Sequence, residues 1–326
     1  MILSASDTAI AQAAQALRDG QLVGLPTETV YGLAANATDD AAVAKIFLAK
    51  GRPADHPLIV HVAGVEQVPL FASQVPEFAQ KLMQAFWPGP LTLILPRLSG
   101  VATASAGGQD SIGLRCPSHP VAQAILQEGL ALGVLGVSAP SANRFGRVSP
   151  TTAAHVQSEL GPELLILDGG ECAVGIESTI VDCTRGEPVL LRPGQITRGQ
   201  IDAACGRTVL DKDALTQAAP RASGTLESHY APRAKVRLMS GDDIAHKLQA
   251  LGPHANNLGV WSAERPDDGA GVLWRMQAAS AEQAAHDLFS VLRDLDARGV
   301  TQIWVQLPPD TPEWEGVRDR LQRAAA

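Results

Sequence analysis

The distribution of short apolar runs over the first 190 residues constrains the fold most. Eight runs have the length and residue types of β-strands, and helix-like spacing of apolar residues separates only some of them. A strict alternation of strands and helices, typical of a wholly parallel sheet, is therefore not predicted, and we expect a twisted mixed sheet with helices packed on it. The runs are Leu22 to Leu25, Leu58 to Val62, Leu91 to Leu95, Ser111 to Arg115, Gly133 to Ser138, Leu164 to Leu167, Thr179 to Asp182 and Val189 to Leu191.

The pattern changes in the last part of the chain. A stretch rich in small and turn residues, Ala218 to Thr225, is followed by a cleaner alternation of strand-like and helix-like segments. Since the chain has 326 residues, two domains are expected. We predict a first domain over 1–205, a linker over 206–233 and a smaller α/β domain over 234–326. The second domain is predicted to contain strands Lys235 to Met239, Leu258 to Trp261, Val272 to Met276 and Gln302 to Leu307, and helices Asp242 to Leu251, Ala281 to Arg298 and one from Thr311.

Charge and cysteine content exclude several classes of protein. The 26 Lys and Arg against 34 Asp and Glu give a net charge of -8, so a polyanion would have to meet a local cluster of cations. No apolar run approaches the roughly 18 residues of a membrane-spanning helix, and the N-terminus does not resemble a secretory signal. The four dispersed cysteines predict buried free thiols of a cytoplasmic protein, with neither a zinc site nor a disulfide framework.

Familiar catalytic motifs are missing from the sequence. It contains no P-loop, no H-E-x-x-H and no S-x-x-K, and Ser138 lacks the second glycine of a nucleophile elbow. A metal centre or a serine hydrolase is therefore not indicated. Polar residues instead gather just after the predicted strands, where α/β proteins place their ligands.

The turn Pro26 to Gly32 is the first of these polar segments. Its threonines could offer oxygens and backbone N–H groups to a small polar ligand, and Gly32 would permit close approach of the backbone. The alternative is an ordinary turn in which a threonine caps a following helix.

The segment Lys50 to Pro57 is the second. Gly51 is a natural helix C-cap, so Lys50 could merely complement the helix dipole. The helix dipole does not account for Arg52. This residue is fixed between Gly51 and Pro53 and suits bidentate recognition of a phosphate or carboxylate. On the next strand, alternation turns His61 away from the main apolar stripe.

Further cations and hydroxyls follow later strands. Arg115 shares a strand face with Ser111 and needs an anionic partner if buried, either a structural carboxylate or a ligand. Ser149 and Pro150 predict the N-cap and first residue of a helix, which is an anion site. Together the cations indicate a site for several negative charges, hence nucleotide or polyphosphate chemistry by positioning and charge neutralisation. They are Lys50, Arg52, Arg115, Arg144, Arg147 and Arg192.

Eight ordered motifs closely resemble the threonylcarbamoyl-AMP synthases, in their long form with a YrdC-like catalytic domain, a linker and a C-terminal domain. The motifs are dense from about residue 10 to 233, and beyond that the resemblance is one of architecture. They are Pro26 to Gly32, Lys50 to Pro53, His56 to His61, Ser138 to Asn143, Ser149 to Thr151, Glu177 to Asp182, Leu191 to Gly194 and Ser228 to Pro232.

The resemblance implies a fold and a reaction. The fold would be α/β, with a twisted mixed-sheet YrdC-like domain followed by a smaller Rossmann-like α/β domain. The enzyme would be a nucleotidyltransferase that converts L-threonine, bicarbonate and ATP into threonylcarbamoyl-AMP and pyrophosphate. Its product would supply the downstream tRNA threonylcarbamoyl transferase machinery, which modifies the adenosine next to the anticodon. Mg2+ is expected with ATP, held by phosphates and water without an assigned protein ligand.

The resemblance also implies roles for individual residues. Lys50 and Arg52 would be catalytic, and Arg115 would bind the threonine carboxylate. His56 and Ser111 stand where many relatives have Asn and Thr, respectively. His229 and Tyr230 belong to a linker motif that folds over the active site in this family. The threonine site would contain Thr29, His61, Arg115, Ser138 and Ser178. The ATP site would contain Lys50, Arg52, His56, Ser111, Ser141, Asn143, Ser149, Arg192 and Tyr230.

Two alternatives stay open at this point. YrdC-like domains present a basic concave surface, so the chain could be a non-catalytic RNA-binding module, although its net charge of -8 disfavours this. Weak RNA binding by the synthase is a milder form of the same hypothesis, and no membrane partner is expected. Carbamoyl-adenylate formation in hydrogenase maturation is the other alternative, but that family carries Cys-rich zinc modules that the four cysteines do not supply.

Overall fold

The computed structural model describes residues 1–225, 229–252, 255, 257–265 and 271–326. These residues pack into two compact units. Unit 1 comprises Met1–Phe145 and Ser149–Thr225, and unit 2 comprises Gly146–Val148 with the described residues of Leu226–Ala326. Each unit has its own sheet flanked by helices, which confirms the predicted α/β class. The domain boundaries at 205 and 233 stay predictions.

Unit 1 contains an eleven-stranded mixed sheet within the described residues. Its order is β1-β8-β2-β3-β7-β4-β6-β5-β9-β10-β11, with parallel pairs such as β4 with β6 and antiparallel pairs such as β5 with β6. The strands are β1 (Ile2–Ser4), β2 (Val23–Leu25), β3 (Gly32–Asn36), β4 (Ile59–His61), β5 (Leu91–Pro96), β6 (Ser111–Arg115), β7 (Val137–Ser138), β8 (Leu165–Asp168), β9 (Thr179–Asp182), β10 (Val189–Arg192) and β11 (Leu210–Asp211).

All eight predicted strands of this sheet are present, but the one predicted from Gly133 is much shorter. The N–H of Val134 donates to the carbonyl of Gly129, and Gly133 has a φ of 88°, so a turn takes up the start of the predicted strand. Strands β1, β3 and β11 were not predicted. The sequence of β3 is rich in Ala and Gly, which have low β propensity, and pairing with β2 and β7 compensates for this.

Six α-helices and the 3-10 helix Val65–Leu70 pack around this sheet in the described part of unit 1. Helix α2 ends as predicted at Gly51, which has a φ of 63°. Helices α1 and α4 pack against each other, as do α3 and α6. The helices are α1 (Asp7–Arg18), α2 (Asp40–Lys50), α3 (Glu77–Phe86), α4 (Pro120–Ala131), α5 (Ala153–Leu160) and α6 (Arg198–Cys205).

The predicted helix start at Ser149 and Pro150 is wrong. Helix α5 begins at Ala153, and Thr152 is its N-cap, accepting a hydrogen bond from the His155 N–H at 3.2 Å. The carbonyl of Pro150 is already taken by the N–H of Tyr31, which holds this segment outside the helix. Ser149 and Pro150 have residue types that favour a helix start, but Thr152 provides the capping oxygen instead.

Side-chain alternation across the central strands places the core. Val60, Leu93 and Leu114 are buried in one hydrophobic cluster on a single face of the sheet. Their neighbours on the same strands, including His61 and Arg115, therefore project from the opposite face. This second face carries the polar residues on which the candidate site depends.

Unit 2 contains a four-stranded parallel sheet of order β12-β15-β13-β14 within the described residues. The predicted alternation of strands and helices is confirmed. Only the last helix differs, because a 3-10 turn, Pro312–Trp314, precedes it. The elements are β12 (Lys235–Met239), α7 (Gly241–Leu251), β13 (Leu258–Ser262), β14 (Leu273–Met276), α8 (Ala281–Ala297), β15 (Gln302–Gln306) and α9 (Glu315–Ala325).

The helices and the cysteines bear on the expected absence of a membrane-spanning segment and of disulfides. The helices in the described ranges are all too short or too polar to cross a membrane. The cysteines are free and buried, as predicted, at positions Cys116, Cys172, Cys183 and Cys205.

Replacing Thr152→Ala should destabilise unit 1, because the N–H of His155 loses its capping oxygen. We expect a loss of about 1 kcal/mol in the free energy of unfolding, measured by urea denaturation. Ser158→Ala, an exposed change inside the same helix, is the matched control and should be close to neutral. Equal stability of the Thr152 variant and the wild type would contradict the observed helix start.

Candidate ligand-binding site in unit 1

Five neighbouring strands bring four of the predicted site residues to one edge of the sheet. His61 and Arg115 are register partners at the ends of the parallel strands β4 and β6. Thr92 lies near the start of the antiparallel strand β5, and Ser178 directly precedes β9. Arg192 ends β10 and pairs with the start of β9. The edge thus carries two arginines, a histidine and two hydroxyls from distant parts of the sequence.

Arg115 is 4% exposed and is held by the turn that follows β2. Its Nη1 donates to Thr29 Oγ1 at 2.8 Å, and its Nη2 lies 2.8 Å from Glu28 Oε1. The structural carboxylate considered as one alternative is therefore present and is Glu28, which sequence reasoning did not assign. Its position between two threonines in a ligand-type turn was the available signal.

The turn itself is fixed by Thr27. Its Oγ1 accepts hydrogen bonds from the N–H groups of Thr29 and Val30, both at 3.3 Å, and donates to the Val30 carbonyl at 2.6 Å. The next element is strand β3, so the alternative of a helix cap is wrong. Gly32 does permit a close approach, but to the chain itself: a Cβ there would lie 3.0 Å from that of Ala139.

His61 is buried and electrically neutral. Burial, reinforced by the nearby charge of Arg115, lowers the pKa of His61 from 6.5 to about 3. Its Nδ1 lies 3.3 Å from the carbonyl oxygen of Ile59. At neutral pH this side chain can therefore offer a hydrogen bond but no charge to a ligand.

Arg192 and Ser178 form a second rigid group. Arg192 is 2% exposed, and its Nε and Nη2 donate to the Ser178 carbonyl at 3.0 and 2.9 Å. The Ser178 hydroxyl receives a third bond from Nη2 at 3.2 Å and lies 2.7 Å from Thr92 Oγ1. Sequence reasoning missed Thr92, because its link to Ser178 depends on the pairing of β5 with β9.

Ser138 does not join this group through its side chain. It is the register partner of Val60, so its side chain projects from the face opposite to that of His61. There its hydroxyl lies 2.6 Å from that of Ser105, which also donates to the Ala37 carbonyl. Ser105 was not predicted.

Lys50 lies at the end of α2 and is 3% exposed. Its ammonium group donates to the carbonyls of Ser141 and Asn143, so it holds the loop after β7 rather than only complementing the helix dipole. Burial, and then the charge of Arg52, lowers the pKa of Lys50 well below its usual value.

Arg52 is 8% exposed, and its guanidinium lies over the Phe145 ring, 5.6 Å from its centroid. It donates to the Pro57 carbonyl at 3.0 Å. The His56 ring contacts the same phenyl ring edge-on, with centroids 5.5 Å apart. Burial, and then Arg52, lowers the pKa of His56. Phe145 therefore orients two predicted ATP-site residues.

Residues 221–223 of the predicted linker dock on this edge of unit 1. Arg221 exchanges hydrogen bonds with the Gln109 side chain through its backbone N–H and carbonyl, at 2.8 and 3.2 Å. Ser223 accepts from Arg52 through its hydroxyl at 3.3 Å and from Arg192 through its carbonyl at 2.9 Å. The two arginines predicted to bind ATP thus meet at one linker residue.

A shallow open cleft lies beside this docked segment. Its walls include Ser111 and Gly113 of β6, Ile59 of β4, Thr92 of β5 and the linker residue Ser223. The predicted site residue Ser111 therefore lies on the same face as Arg115, as the strand alternation predicted.

The remaining predicted residues of unit 1 lie in the loops after β7. The hydroxyl of Ser149 donates to the carboxylate of Glu177. Asn143 donates to the Arg144 carbonyl at 2.7 Å, and Ser141 forms an isolated bridge with Gly32. Arg144 itself is exposed. These loops are tied to the site through Lys50.

Three further residues belong to unit 2. Arg147 lies 3.4 Å from the carboxylate of Asp296. The rings of His229 and Tyr230 are 4.1 Å apart, and the Tyr230 ring lies 5.3 Å from that of Phe289. The lid role of His229 and Tyr230 stays a prediction, and Ser228 of the same motif lies outside the described residues.

A mixed-sheet unit with buried cations at one edge is joined in sequence to a small parallel α/β unit, which defines a two-unit α/β protein. Two family models match the chain. One, described as "Telomere recombination", covers residues 15–194, and the other, described as "Threonylcarbamoyl-AMP synthase, C-terminal domain", covers residues 196–326.

Individual proteins give the same result. The chain is 40% identical to a threonylcarbamoyl-AMP synthase of Bacillus subtilis, over 99% of this chain and 94% of the relative. It is 39% identical to the synthase of Pyrococcus abyssi, over 96% of this chain and 93% of the relative. The crystal structure of P. abyssi Sua5 complexed with L-threonine matches with a TM-score of 0.89 at 36% identity, covering 100% of this chain and 97% of that one.

This chain therefore belongs to the threonylcarbamoyl-AMP synthase family. The predicted family is confirmed, and the alternative of a non-catalytic RNA-binding module is not favoured.

The buried neutral His61 predicts a pH dependence of stability. Unfolded His61 takes up a proton near pH 6.5 and folded His61 only near pH 3, so within that interval the unfolded state binds more protons. Stability should fall as the pH falls, with His61 contributing up to about 1.4 kcal/mol per pH unit. The variant His61→Gln should show a shallower slope in urea unfolding measured over that interval. Parallel slopes for the two proteins would contradict a neutral buried imidazole.

Proposed function

We propose that this protein is a threonylcarbamoyl-AMP synthase. It would convert L-threonine, bicarbonate and ATP into threonylcarbamoyl-AMP and pyrophosphate, which makes it a nucleotidyltransferase. The observation that carries the proposal is the group of buried cations at one edge of the unit 1 sheet, in a chain similar over its whole length to a protein solved with L-threonine.

The threonine site is proposed at Arg115. Among the described residues, its Nε has no hydrogen-bond partner, although the side chain is buried. A buried, unpaired guanidinium N–H is costly, and a carboxylate would satisfy it. Thr29, which already bonds to Arg115, and neutral His61 would supply further hydrogen bonds to the bound amino acid.

The triphosphate is proposed at Arg52 and Arg192. Both side chains are buried beside Ser223, and a charged phosphate is a stronger acceptor than a serine hydroxyl or a carbonyl. Nucleotide binding would therefore exchange these linker contacts for phosphate contacts. Lys50 would contribute both charge and the position of the loop containing Ser141 and Asn143.

The reaction needs no nucleophile from the protein. A carbamate oxygen on threonine would attack the α-phosphate of ATP, and pyrophosphate would leave. Both reactants are anionic, so alignment and neutralisation of their repulsion by Lys50 and Arg52 would account for catalysis.

Mg2+ would accompany ATP. The donors at the proposed phosphate site are guanidinium and ammonium groups, which suit phosphate oxygens rather than a metal ion. We therefore assign Mg2+ to the phosphates and water, where it would neutralise charge on the leaving pyrophosphate.

The product would be a labile adenylate that a tRNA-modifying transferase consumes, with the threonylcarbamoyl group ending on the adenosine next to the anticodon. We place this reaction in the cytoplasm. The four free, buried cysteines support a reducing compartment.

Purified protein should release pyrophosphate from ATP only when L-threonine and bicarbonate are both present. Serine in place of threonine should give less product, because serine lacks the methyl group that would contact the protein. A coupled pyrophosphate assay measures both. The absence of threonine-dependent pyrophosphate release would contradict the proposed function.

Arg52→Ala should lower pyrophosphate release by at least about a hundredfold, since a charge that opposes phosphate repulsion is removed. The thermal midpoint should fall by less than about 4 °C, because Arg52 makes only a few hydrogen bonds. Arg18→Ala, an exposed arginine at the end of α1, is the control and should retain activity. If the Arg52 variant instead unfolds, its role is structural.

A further inference from the structure

Glu28 is a buried carboxylate whose hydrogen-bonding capacity is not used. The residue is 7% exposed, in the turn between β2 and β3. Neither of its carboxylate oxygens makes a hydrogen bond to any residue that the structure describes. An ionised carboxylate can accept about four hydrogen bonds, and burying it without them is unfavourable. The carboxylate can therefore accept hydrogen bonds from the N–H or O–H groups of a bound ligand.

The ion pair with Arg115 does not fill this need. Arg115 Nη2 lies 2.8 Å from Glu28 Oε1, but the N–H bonds of Nη2 are not aligned with this oxygen well enough to form a hydrogen bond. The pair balances the two charges and leaves the oxygens open. Arg115 itself keeps an unpaired Nε, so both partners of the pair have unused capacity at the same place.

The backbone of Glu28 is held from both sides. Its carbonyl accepts the N–H of Val174 at 2.7 Å, and the hydroxyl of Thr27 fixes the turn around it. Glu28 therefore cannot relieve its unpaired oxygens by a small shift of the chain towards solvent.

The charges around Glu28 match an amino acid zwitterion. Arg115 is positive, Glu28 is negative, and His61 is neutral. Burial raises the pKa values of the nearby Cys116 and Cys172 thiols, so these remain uncharged as well. One paired positive and negative charge suits a ligand with one carboxylate and one ammonium group in adjacent positions.

We propose that Glu28 binds the ammonium group of the amino acid substrate while Arg115 binds its carboxylate. The proposal rests on the proposed function, in that L-threonine is taken as the ligand. Glu28 thereby fixes the nitrogen that becomes the carbamate nitrogen and selects α-amino acids over α-hydroxy acids. It is a specificity-determining residue that the resemblance did not supply.

The test compares two ligands on two proteins by calorimetry. The ligands are L-threonine and its α-hydroxy analogue, in which a hydroxyl group replaces the ammonium group. Wild-type protein should prefer threonine. Glu28→Gln should lose about 10- to 100-fold in threonine affinity, as expected for a charge-assisted hydrogen bond, and little in affinity for the analogue. Glu163→Gln, an exposed carboxylate change, is the control and should behave as the wild type.

Equal losses for both ligands in the Glu28→Gln variant would overturn the proposal, because Glu28 would then act only by orienting Arg115. Unchanged binding of threonine would overturn it as well. If Glu28→Gln does not fold, Glu28→Asp keeps the charge, and it must retain the preference for threonine over the analogue. A wild-type protein that binds no threonine would instead contradict the proposed function.

Discussion

The register of the central strands is the constraint on which the candidate site depends. The pairing of β4 with β6 puts His61 beside Arg115, and the same alternation buries Val60 and Leu114 on the other face. A slip of one residue would exchange these faces and place a guanidinium in the hydrophobic cluster. The core and the site are therefore specified together, since each apolar side chain that stabilises the sheet also fixes the orientation of a polar neighbour.

Two buried cations of this unit, Lys50 and Arg192, donate hydrogen bonds to carbonyl oxygens. Lys50 donates to two carbonyls of the loop after β7, and Arg192 chelates the carbonyl of Ser178. Carbonyl groups orient a cation without cancelling its charge, whereas a carboxylate would neutralise it. This arrangement leaves positive potential at the strand ends of a chain whose net charge is -8. Arg115 and Arg185 differ in having carboxylate partners, Glu28 and Asp182, and Glu28 is the residue to which we assign the substrate ammonium group.

Local sequence signals predicted the elements whose bounds depend on neighbouring residues. Strand β6 was predicted to the residue, and Gly51 ends α2 as expected, because alternation and a left-handed C-cap are visible within a few residues. Strand β3 was missed because its Ala and Gly residues form a strand only through pairing. The helix start at Ser149 was misplaced because the carbonyl of Pro150 bonds to a residue more than a hundred positions earlier. Glu28 and Thr92 were missed for the same reason, since their partners are remote in sequence.

Burial separates the six cations that the sequence grouped together. Lys50, Arg52, Arg115 and Arg192 are each at most 8% exposed in unit 1, whereas Arg144 is exposed and Arg147 lies in unit 2. Burying a cation is expensive unless other interactions stabilise the charged form. An exposed arginine carries no such cost and can be retained for solubility alone. The cost of burial therefore distinguishes the first four from exposed Arg144 and from half-buried Arg147, which pairs with Asp296.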